Sequence, residues 1–301
     1  GGELVETVRI EAGADGTVSL FSGTQAMGQG LETVFSQLLS AQLEIPIEAI
    51  RLVQGDSARV KGLGSFGSRS LFVGGSVLLA GAQEFLEKGK QLAAAELEAA
   101  IVDMRYHDGR FEVVGTSIGI GLFELAAKQV EQSFSTETEK KVEGRSWPNG
   151  CHIAEVEIDP ETGSVSLVSH GSVDDTGNAI NPMIVEGQLQ GGIAQGAGQA
   201  LLEHSEDDSA GQLLTASILD YAMPRADDLP SFKTNIYTDA PCKTNPLGAK
   251  GVGEIGVVGS IPAIANAVLD ALWEHGVSQF DMPAHPQNIW KLLQKQKTDA
   301  N

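Results

Sequence analysis

The sequence predicts an α+β protein of two related units, in which β-hairpins and mixed sheets pack against helices. An alternating hairpin pattern in residues 3–22 leads into a polar loop and a helix start that bears glycine and glutamine, and the same order returns from residue 152. Apolar residues make up 42% of the 301 residues, enough for a packed core. We expect the units to span 1–145 and 146–301, although hairpin-then-helix order also arises in α+β proteins without duplication.

The elements of the first unit follow from periodicity and turn residues. Residues 3–22 alternate apolar and polar side chains around Gly-Ala-Asp-Gly, which is typical of a hairpin. Apolar residues at helical spacing predict a helix at 31–44, and a run rich in Ala, Leu, Glu and Lys predicts an amphipathic helix at 77–102. The other segments are predicted as a strand at 50–56, a glycine-serine loop at 62–76, a hairpin at 104–114, a short helix at 121–130 and a polar linker at 132–150.

The second unit repeats this plan. Residues 152–173 form a hairpin pattern turned by Pro-Glu-Thr-Gly, and the polar loop 173–182 follows. A helix pattern with glycines and glutamines occupies 185–203. The stretch 245–272 then places glycine-rich turns just ahead of a helix pattern made of small residues.

One carboxylate lies among those glycine-rich turns. Glu254 is surrounded by five glycines, at positions 248, 251, 253, 256 and 259. A backbone so poor in side chains can approach a large ligand closely and direct N–H groups at it. A glutamate held there would lose much of its water and act as a general base. A glycine-rich connection that carries a solvated glutamate explains the same residues.

Three further loops combine glycine with polar side chains. The Gly28-Gln29-Gly30 turn opens a predicted helix, where free N–H groups and the glutamine amide can meet an anion or a heteroaromatic edge. The loop at 64–70 offers hydroxyls, backbone donors and the Arg69 guanidinium, a combination that suits a phosphate.

The third loop is predicted at the glycines of 187–198, where Gln188 and Gln195 accompany another helix start. Each loop alone is typical of an ordinary turn. Together with the Glu254 loop, the set favours one distributed site for a long, phosphate-bearing cofactor. None of the loops matches the P-loop or the dinucleotide-binding pattern.

Charge and composition disfavour several other classes of partner. The formal net charge of −20 at pH 7 makes nucleic acid and anionic lipid unfavourable partners. Cys151 and Cys242 give no disulfide framework and no zinc or iron–sulfur spacing, so each is expected to be a small buried residue or a reduced thiol. No apolar run reaches the roughly 18 residues of a membrane span. No signal peptide is visible, which favours the cytoplasm, with the periplasm as the alternative.

Titratable residues do not form a recognisable hydrolase pattern. The six histidines have neither HxxxH nor HExxH spacing, so no protein-ligated metal site is predicted. Adjacent carboxylates such as Asp174-Asp175 rarely share one substrate, and Asp227-Asp228 is better explained as a solvated loop or a helix cap.

Taken in order along most of the chain, several segments resemble the molybdenum-binding large subunit of the xanthine oxidase family. The likeness is strongest to its bacterial branch, which includes carbon monoxide dehydrogenase, nicotinate- and quinoline-type hydroxylases and related aldehyde oxidoreductases. The segments are GTQAMGQGLETVFSQLL, GLGSFGSRS, PNGCHIAEVEIDPETG, VDDTGNAINPMIVEGQLQGGIAQGAGQALLE, LDYAMPRADDLP and NPLGAKGVGEIG.

The resemblance implies a molybdopterin cofactor, usually the cytosine dinucleotide form in bacteria. Molybdenum is then held by the pterin dithiolene and by non-protein groups, with no residue as a direct ligand. The matching motifs imply that Glu254 is the general base beside the metal. The cofactor-binding residues they imply are Gly28, Gln29, Gly30, Ser65, Phe66, Gly67, Ser68, Arg69, Asp175, Thr176, Gln188, Lys250, Gly251, Val252 and Gly253.

The implied reaction inserts water-derived oxygen into a C–H bond of an N-heterocycle, an aldehyde or a similar small molecule, or oxidises carbon monoxide. Electrons would leave through a [2Fe–2S] subunit and an FAD subunit, because this chain has no cysteine set for clusters.

The sequence departs from the family pattern in two respects. Gln190 stands where many members carry histidine, and the N-terminal half of the usual large subunit is absent. The chain begins with Gly1-Gly2 and no methionine, so we expect either a fragment or a split gene whose sister subunit supplies the rest. The isolated chain is then expected to be inactive. The alternative is a scaffold or assembly module that keeps the fold and binds no cofactor in this form.

Overall fold

The structure is a computed structural model that describes residues 4–299, with side chains described through Lys295. Glu3 of the predicted first hairpin lies outside the described residues. Contacts divide the chain into unit 1, Gly1–Trp147 with Pro241–Gly251, and unit 2, Pro148–Ala240 with Val252–Asn301. The chain therefore passes from unit 1 to unit 2 between Gly251 and Val252, within the predicted pterin-lining segment.

Unit 1 has the predicted order of hairpins and helices. A four-stranded sheet has the order β3-β2-β1-β7, and a smaller one has the order β4-β5-β6. The elements are β1 (Val5–Gly13), β2 (Val18–Ser22), α1 (Leu31–Leu43), β3 (Ile50–Val53), α2 (Ser76–Glu96), β4 (Met104–His107), β5 (Arg110–Val113), β6 (Gly119–Gly121), α3 (Leu122–Lys128) and β7 (Ser133–Lys141).

β7 corrects the prediction of a polar linker at 132–150. This strand pairs antiparallel with β1 along its whole length, from Val5 opposite Lys141 to Gly13 opposite Ser133. Phe134 of β7 is buried and stacks on Phe85 of α2 with ring centroids 4.7 Å apart. The prediction was wrong because an edge strand exposes many Thr, Glu and Lys side chains, and these hide the alternation.

Two helix boundaries also differ from the prediction. The predicted loop at 62–76 becomes helical at Ser70, where a π-helical turn, Ser70–Gly75, leads into α2. The predicted helix at 77–102 is too long, since α2 ends at Glu96. Glu98 adopts a left-handed conformation with φ 51°, which no helix can continue through.

Unit 2 contains one three-stranded sheet and three described α-helices. The strand order is β10-β9-β8, in which β9 pairs antiparallel with β8 and parallel with β10. The predicted hairpin at 152–173 is thus confirmed. The elements are β8 (Asn149–Ile158), β9 (Val165–Asp175), α4 (Pro182–Leu201), β10 (Lys233–Tyr237), α5 (Ile255–Trp273) and α6 (Pro286–Asp299).

α4 begins earlier than the glycine pattern suggested. The Asn181 side chain accepts a hydrogen bond from Ile184 N at 3.1 Å, and Pro182 is the first helical residue. Asn followed by Pro is a favoured helix start, because asparagine caps the free N–H groups and proline needs no donor there. Gly187 and Gln188 therefore lie inside α4, and the prediction of a helix start at these residues was wrong.

Glycine allows α4 and α5 to approach closely. A Cβ on Gly256 of α5 would lie 2.5 Å from the carbonyl oxygen of Leu189 and 2.9 Å from Cα of Gly192, both on α4. Real Cβ atoms do not come so near, so only glycine fits this crossing. The contact fixes the first turn of α5, and with it the backbone that follows Glu254.

α5 passes a length and composition test for a membrane span, although the sequence has no unbroken apolar run of about 18 residues. Among the described residues, Ile255–Trp273 is the one helix that is long and apolar enough by length and composition. Glycine, serine and Pro262 interrupt its apolar residues, which is why no unbroken run was visible in the sequence. A core helix of a soluble protein passes the same test.

Two hairpin glycines, one in each unit, offer a matched test of how α6 packs on the β8–β9 turn. Gly163, in the β8–β9 turn, has φ 76°, and a Cβ there would lie 2.6 Å from Trp290 N of α6. Gly16, in the β1–β2 turn, has φ 84° with nothing within 4 Å of its Cβ position. We expect Gly163→Ala to destabilise the protein by about 2–4 kcal/mol, through left-handed strain plus overpacking, and Gly16→Ala by about 1–2 kcal/mol from strain alone.

Urea unfolding followed by circular dichroism measures both costs. Equal destabilisation by the two alanines would show that α6 yields freely at the β8–β9 turn.

Candidate functional site

A serine hydroxyl joins two of the predicted cofactor loops in unit 1. Ser65 Oγ accepts a hydrogen bond from Gln25 N at 3.0 Å and donates one to Gln25 O at 2.6 Å. Ser70 Oγ donates to the same Ser65 hydroxyl at 2.7 Å. The segment 64–70 is thereby fastened to the segment 23–30.

Two glycines bring the backbones of these loops into contact. A Cβ on Gly23 would lie 2.5 Å from Cα of Gly62 and 2.6 Å from the carbonyl oxygen of Lys61. Gly64 N also donates to Gly23 O at 3.1 Å. The backbones of the two loops can touch because neither Gly23 nor Gly62 carries a side chain.

Arg69 differs from the expected phosphate-binding guanidinium. It is 2% exposed, and its NH1 donates to Glu6 Oε2 at 2.8 Å and to Gly64 O at 2.9 Å. NH2 donates to Val5 O at 2.6 Å. The guanidinium thus points into unit 1, where it neutralises the buried Glu6 and fixes the loop. A free guanidinium for phosphate is not what the structure shows.

The Gly28-Gln29-Gly30 turn precedes α1 as predicted. Gln29 Nε2 donates to Gln25 O at 2.8 Å and its Oε1 accepts from Met27 N at 2.6 Å, so the amide holds its own loop in shape. Gly28 and Gly30 have φ of 93° and 77°, which glycine adopts without strain. No side chain caps the N-terminus of α1. An uncapped helix N-terminus favours an anionic group.

The last segment of unit 1 joins the same loops. A Cβ on Gly251 would lie 2.7 Å from Cβ of Ser68 and 2.8 Å from its carbonyl oxygen. Gly251 N donates to Ser146 Oγ at 3.1 Å. Lys250 is 9% exposed, whereas the Phe66 ring is 50% exposed. Of the predicted residues, Gly251 and Ser68 are therefore in direct contact.

Open space borders the glycines of these loops. Among the described residues, apart from the immediate chain neighbours, no atom lies within 4 Å of the Cβ position of Gly28, Gly64 or Gly67. Backbone N–H groups on such surfaces can reach a ligand without steric hindrance. Unit 1 thus offers hydroxyls, bare backbone and an exposed aromatic ring, features that fit a long ligand with phosphate groups and ring systems.

In unit 2 the predicted residues lie at the end of β9, within α4 and just before α5. Asp175 Oδ1 accepts from Gly177 N at 3.0 Å, and the buried Thr176 donates its N–H to Tyr237 O of β10 at 3.2 Å. Gln188 is half-buried within α4. These bonds set the turn that leaves the sheet.

Glu254 is the N-cap residue of α5, directly after Gly253. Ile255 N donates a hydrogen bond to Val252 O at 3.1 Å, so the backbone makes a tight turn at Glu254 where the helix begins. The carboxylate is exposed in this chain, which corrects the expectation that the glycine loop alone removes its water. Because the preceding residue, Gly253, has no side chain, a ligand can reach the Glu254 carboxylate.

The sequence patterns did not predict two groups of titratable residues that the structure brings together. His152, His170 and Asp174 meet on the buried face of the β8–β9 hairpin, and the strand register, rather than any spacing motif, is the signal that joins them. The exposed ligand atoms of Glu44, His107 and Asp108 lie within 4.8 Å of one another.

The exposed group is explained by surface pairing. His107 Nδ1 lies 3.0 Å from Glu44 Oε2, and its Nε2 lies 3.4 Å from Asp108 Oδ2. A hydrogen bond from Asp108 N lowers the pKa of the Glu44 carboxyl. Cys151 and Cys242 are free cysteines, and Cys151 is exposed, as a reduced thiol can be.

Comparisons with known proteins agree on one family. Residues 2–230 match the model of the molybdopterin cofactor-binding domain. The chain is 33% identical to the gamma subunit of the 6-hydroxypseudooxynicotine dehydrogenase complex of Paenarthrobacter nicotinovorans, over 97% of this chain and 38% of that protein. It is also 33% identical to the carbon monoxide dehydrogenase large chain of Hydrogenophaga pseudoflava, over 97% of this chain and 37% of the relative.

Among solved structures, quinoline 2-oxidoreductase from Pseudomonas putida 86 matches with a TM-score of 0.83 and 31% identity. The match covers 97% of this chain and 38% of that one. The chain therefore spans well under half the length of the proteins that it resembles.

Proposed function

The chain belongs to the molybdopterin cofactor-binding domain family, within the xanthine oxidase family of molybdenum oxidoreductases, and we propose that it forms the cofactor-holding part of a molybdenum hydroxylase large subunit. Residues outside this chain would complete that subunit, since the chain spans only 37–38% of these relatives.

The Ser65 hydrogen bonds carry the proposal. They fasten the loop at 64–70 to the loop at 23–30, and Gly251 packs on Ser68 of the first loop. Three segments distant in sequence, each expected to touch the cofactor, thus meet in unit 1. The Ser65 hydroxyl bonds to three polar groups of Gln25 and Ser70 and so fixes the two loops relative to each other.

In the proposed site each segment has its own part of the cofactor. The residues Ser65, Phe66, Gly67 and Ser68 bind the nucleotide end, with cytosine as the expected base, and Arg69 positions this loop from the inside through Glu6. The family motifs assign the remaining cofactor contacts to Gly28, Gln29, Gly30, Lys250, Gly251, Asp175, Thr176, Gln188, Val252 and Gly253.

We assign the general base to Glu254. The bound cofactor would supply an oxygen nucleophile and accept two electrons. The exposed carboxylate at the start of α5 would take the proton from that nucleophile as it attacks an electron-poor carbon. The glycines on either side would let the cofactor approach the backbone.

The proposed substrate is an N-heterocycle, an aldehyde or a similar small molecule, with carbon monoxide as a further option. Partners would be the rest of the large subunit, an iron–sulfur subunit carrying [2Fe–2S] and a flavin subunit carrying FAD. Nucleic acid is an unfavourable partner for a chain with formal charge −20.

A second candidate is an assembly module that binds no cofactor in this form. The exposure of Glu254 favours it, since an active general base is usually shielded from water. Metal and nucleotide analysis separates the candidates. We expect the chain assembled with its completing part to contain molybdenum and to release cytosine nucleotide on acid hydrolysis. An assembly without molybdenum would eliminate the hydroxylase proposal.

Ser65→Ala tests the loop connection. Removing the hydroxyl deletes the bonds to both backbone groups of Gln25 and to Ser70. We expect the assembled protein to retain about three- to tenfold less molybdenum after gel filtration, because water replaces the exposed bonds to Gln25 and the net loss of loop order is about 1 kcal/mol in total. Metal content per protein, measured by mass spectrometry, is the readout.

Ser117→Ala is the control, since Ser117 is exposed in the β5–β6 turn of the same unit. Equal molybdenum content in the two variants would remove Ser65 from the site.

A further inference from the structure

A buried ionisable pair lies on one face of the β8–β9 hairpin. His152 Nε2 is 3.1 Å from Asp174 Oδ1, and the two side chains are 4% and 0% exposed. The register sets His152 opposite Ser172 and Gly150 opposite Asp174, so the pair is diagonal on one face of the sheet. A proton on His152 Nε2 makes the imidazole the donor in this bond.

Both members of the pair occupy space that glycine leaves open. A Cβ on Gly259 of α5 would lie 2.5 Å from His152 Nε2 and 2.6 Å from its Cγ. A Cβ on Gly150 would overlap Oδ1 of Asp174. The imidazole thus rests directly against the α5 backbone, little more than one helical turn after Glu254.

The pair also touches the other predicted cofactor segment of unit 2. Asp174 is followed at once by Asp175 and Thr176, whose turn leaves the sheet through the bonds to Gly177 and Tyr237. The same ionisable pair therefore contacts the strand that carries this turn and the helix that Glu254 begins.

His170 completes the buried cluster. Its ring meets the His152 ring edge-on at 5.3 Å and the Phe232 ring at 5.8 Å. Burial, and then the neighbouring His152, lower the pKa of His170 to about 4, although Asp174 opposes the shift. His170 is therefore neutral at pH 7, and the Asp174 carboxylate pairs with His152.

Other buried polar atoms of the cluster have no hydrogen-bond partner among the described residues: His152 Nδ1, both ring nitrogens of His170, Ser172 Oγ and Asp174 Oδ2. Internal water normally completes such a set. A metal is disfavoured, because among the described residues only Glu44, His107 and Asp108 form a group of three whose ligand atoms all lie within 4.8 Å of one another.

We propose that His152 and Asp174 are positioning residues that tie the first turns of α5 to the end of β9. In this arrangement the pair holds Glu254 and the turn at 175–177 in one fixed geometry within unit 2. The inference rests on the proposed function for the roles of Glu254, Asp175 and Thr176. The tie itself is a property of this chain alone.

Amide hydrogen exchange in the full 301-residue chain tests the tie. The reporters are Val258, Thr176 and Gly177, whose N–H groups bond to Glu254 O, Tyr237 O and Asp175 Oδ1. The references are Leu202 and Ala284 of the same unit, which bond to Gly198 O and Ala200 O.

In Asp174→Asn and in Gly259→Ala we expect exchange about tenfold faster at the reporters and less than about twofold faster at the references. In the double variant the acceleration of exchange should be smaller than the product of the two single accelerations, because either change alone already breaks the pair. Gly187→Ala on α4 is the control, because nothing lies within 4 Å of its Cβ position. The tie would be refuted if the acceleration of exchange at the reporters were less than about three times the acceleration at the references.

A measurement on the unmutated chain keeps the test open if a variant does not fold. Nitrogen-15 spectra should show His152 with a slowly exchanging proton on Nε2 at pH 7, and a proton on Nδ1 alone would overturn the pair. In the assembled enzyme, Asp174→Asn should lower kcat while molybdenum content stays constant. An assembly that never binds molybdenum would defeat the proposed function and leave the exchange result standing.

Discussion

Glu254→Gln is expected to lower kcat of the assembled enzyme by about 10²–10⁴-fold while molybdenum content stays unchanged. Glutamine keeps the size of the side chain at the exposed N-cap position of α5, but it cannot take a proton from the nucleophile. A general base contributes to the transition state, so the loss should fall on kcat and not on retention of the cofactor. Steady-state turnover together with metal analysis measures both quantities.

Glu274→Gln provides the control at the other end of the same helix, where Glu274 is the exposed C-cap residue. Its turnover should stay within about twofold of the unmutated enzyme, because a distant surface charge is screened. Near-normal turnover of Glu254→Gln would refute the base assignment. Loss of molybdenum in that variant alone would instead make Glu254 a cofactor-binding residue.

Most of the fold could be predicted because local signals and the final structure agree. Gly-containing turns between alternating segments predicted the β1–β2 and β8–β9 hairpins, and helical spacing predicted α1 and α2. β7 could not be predicted in this way, since its pairing with β1 joins residues far apart in sequence. An edge strand needs few apolar residues, and its partner rather than its own pattern makes it a strand.

The candidate site, too, could be predicted from the sequence only in part. Motif order indicated which loops approach the cofactor, and the Ser65 bonds are consistent with that set. The role of Arg69 was not visible, because a guanidinium in a glycine-serine loop suits a phosphate and a buried carboxylate equally well. His152 and Asp174 are brought together only by strand register, which a single sequence does not specify.

Arg69→Met is expected to destabilise unit 1 by about 3–5 kcal/mol, because it leaves the Glu6 carboxylate buried without its cation. The Glu6 side chain is fully buried, and its Oε1 lies too close to the Cβ positions of Gly23 and Gly62 for either residue to carry a side chain. The substitution also removes the guanidinium bonds to Gly64 O and Val5 O, which fix the loop at 64–70. The same variant should therefore loosen the cofactor site as well as lower the free energy of unfolding.

Arg59→Met is the matched control, because Arg59 pairs with Asp56 at 3.1 Å on the surface, with side chains 57% and 45% exposed. An exposed pair contributes about 0–1 kcal/mol, so this variant should unfold at nearly the unmutated urea concentration. Glu6→Met in the Arg69→Met background removes the stranded charge and should recover most of the lost stability. If Arg69→Met cost no more than Arg59→Met, the buried pair would not hold the loops together. If the double variant were stable but retained no molybdenum, the pair would serve the geometry of the cofactor site beyond the stability of the unit.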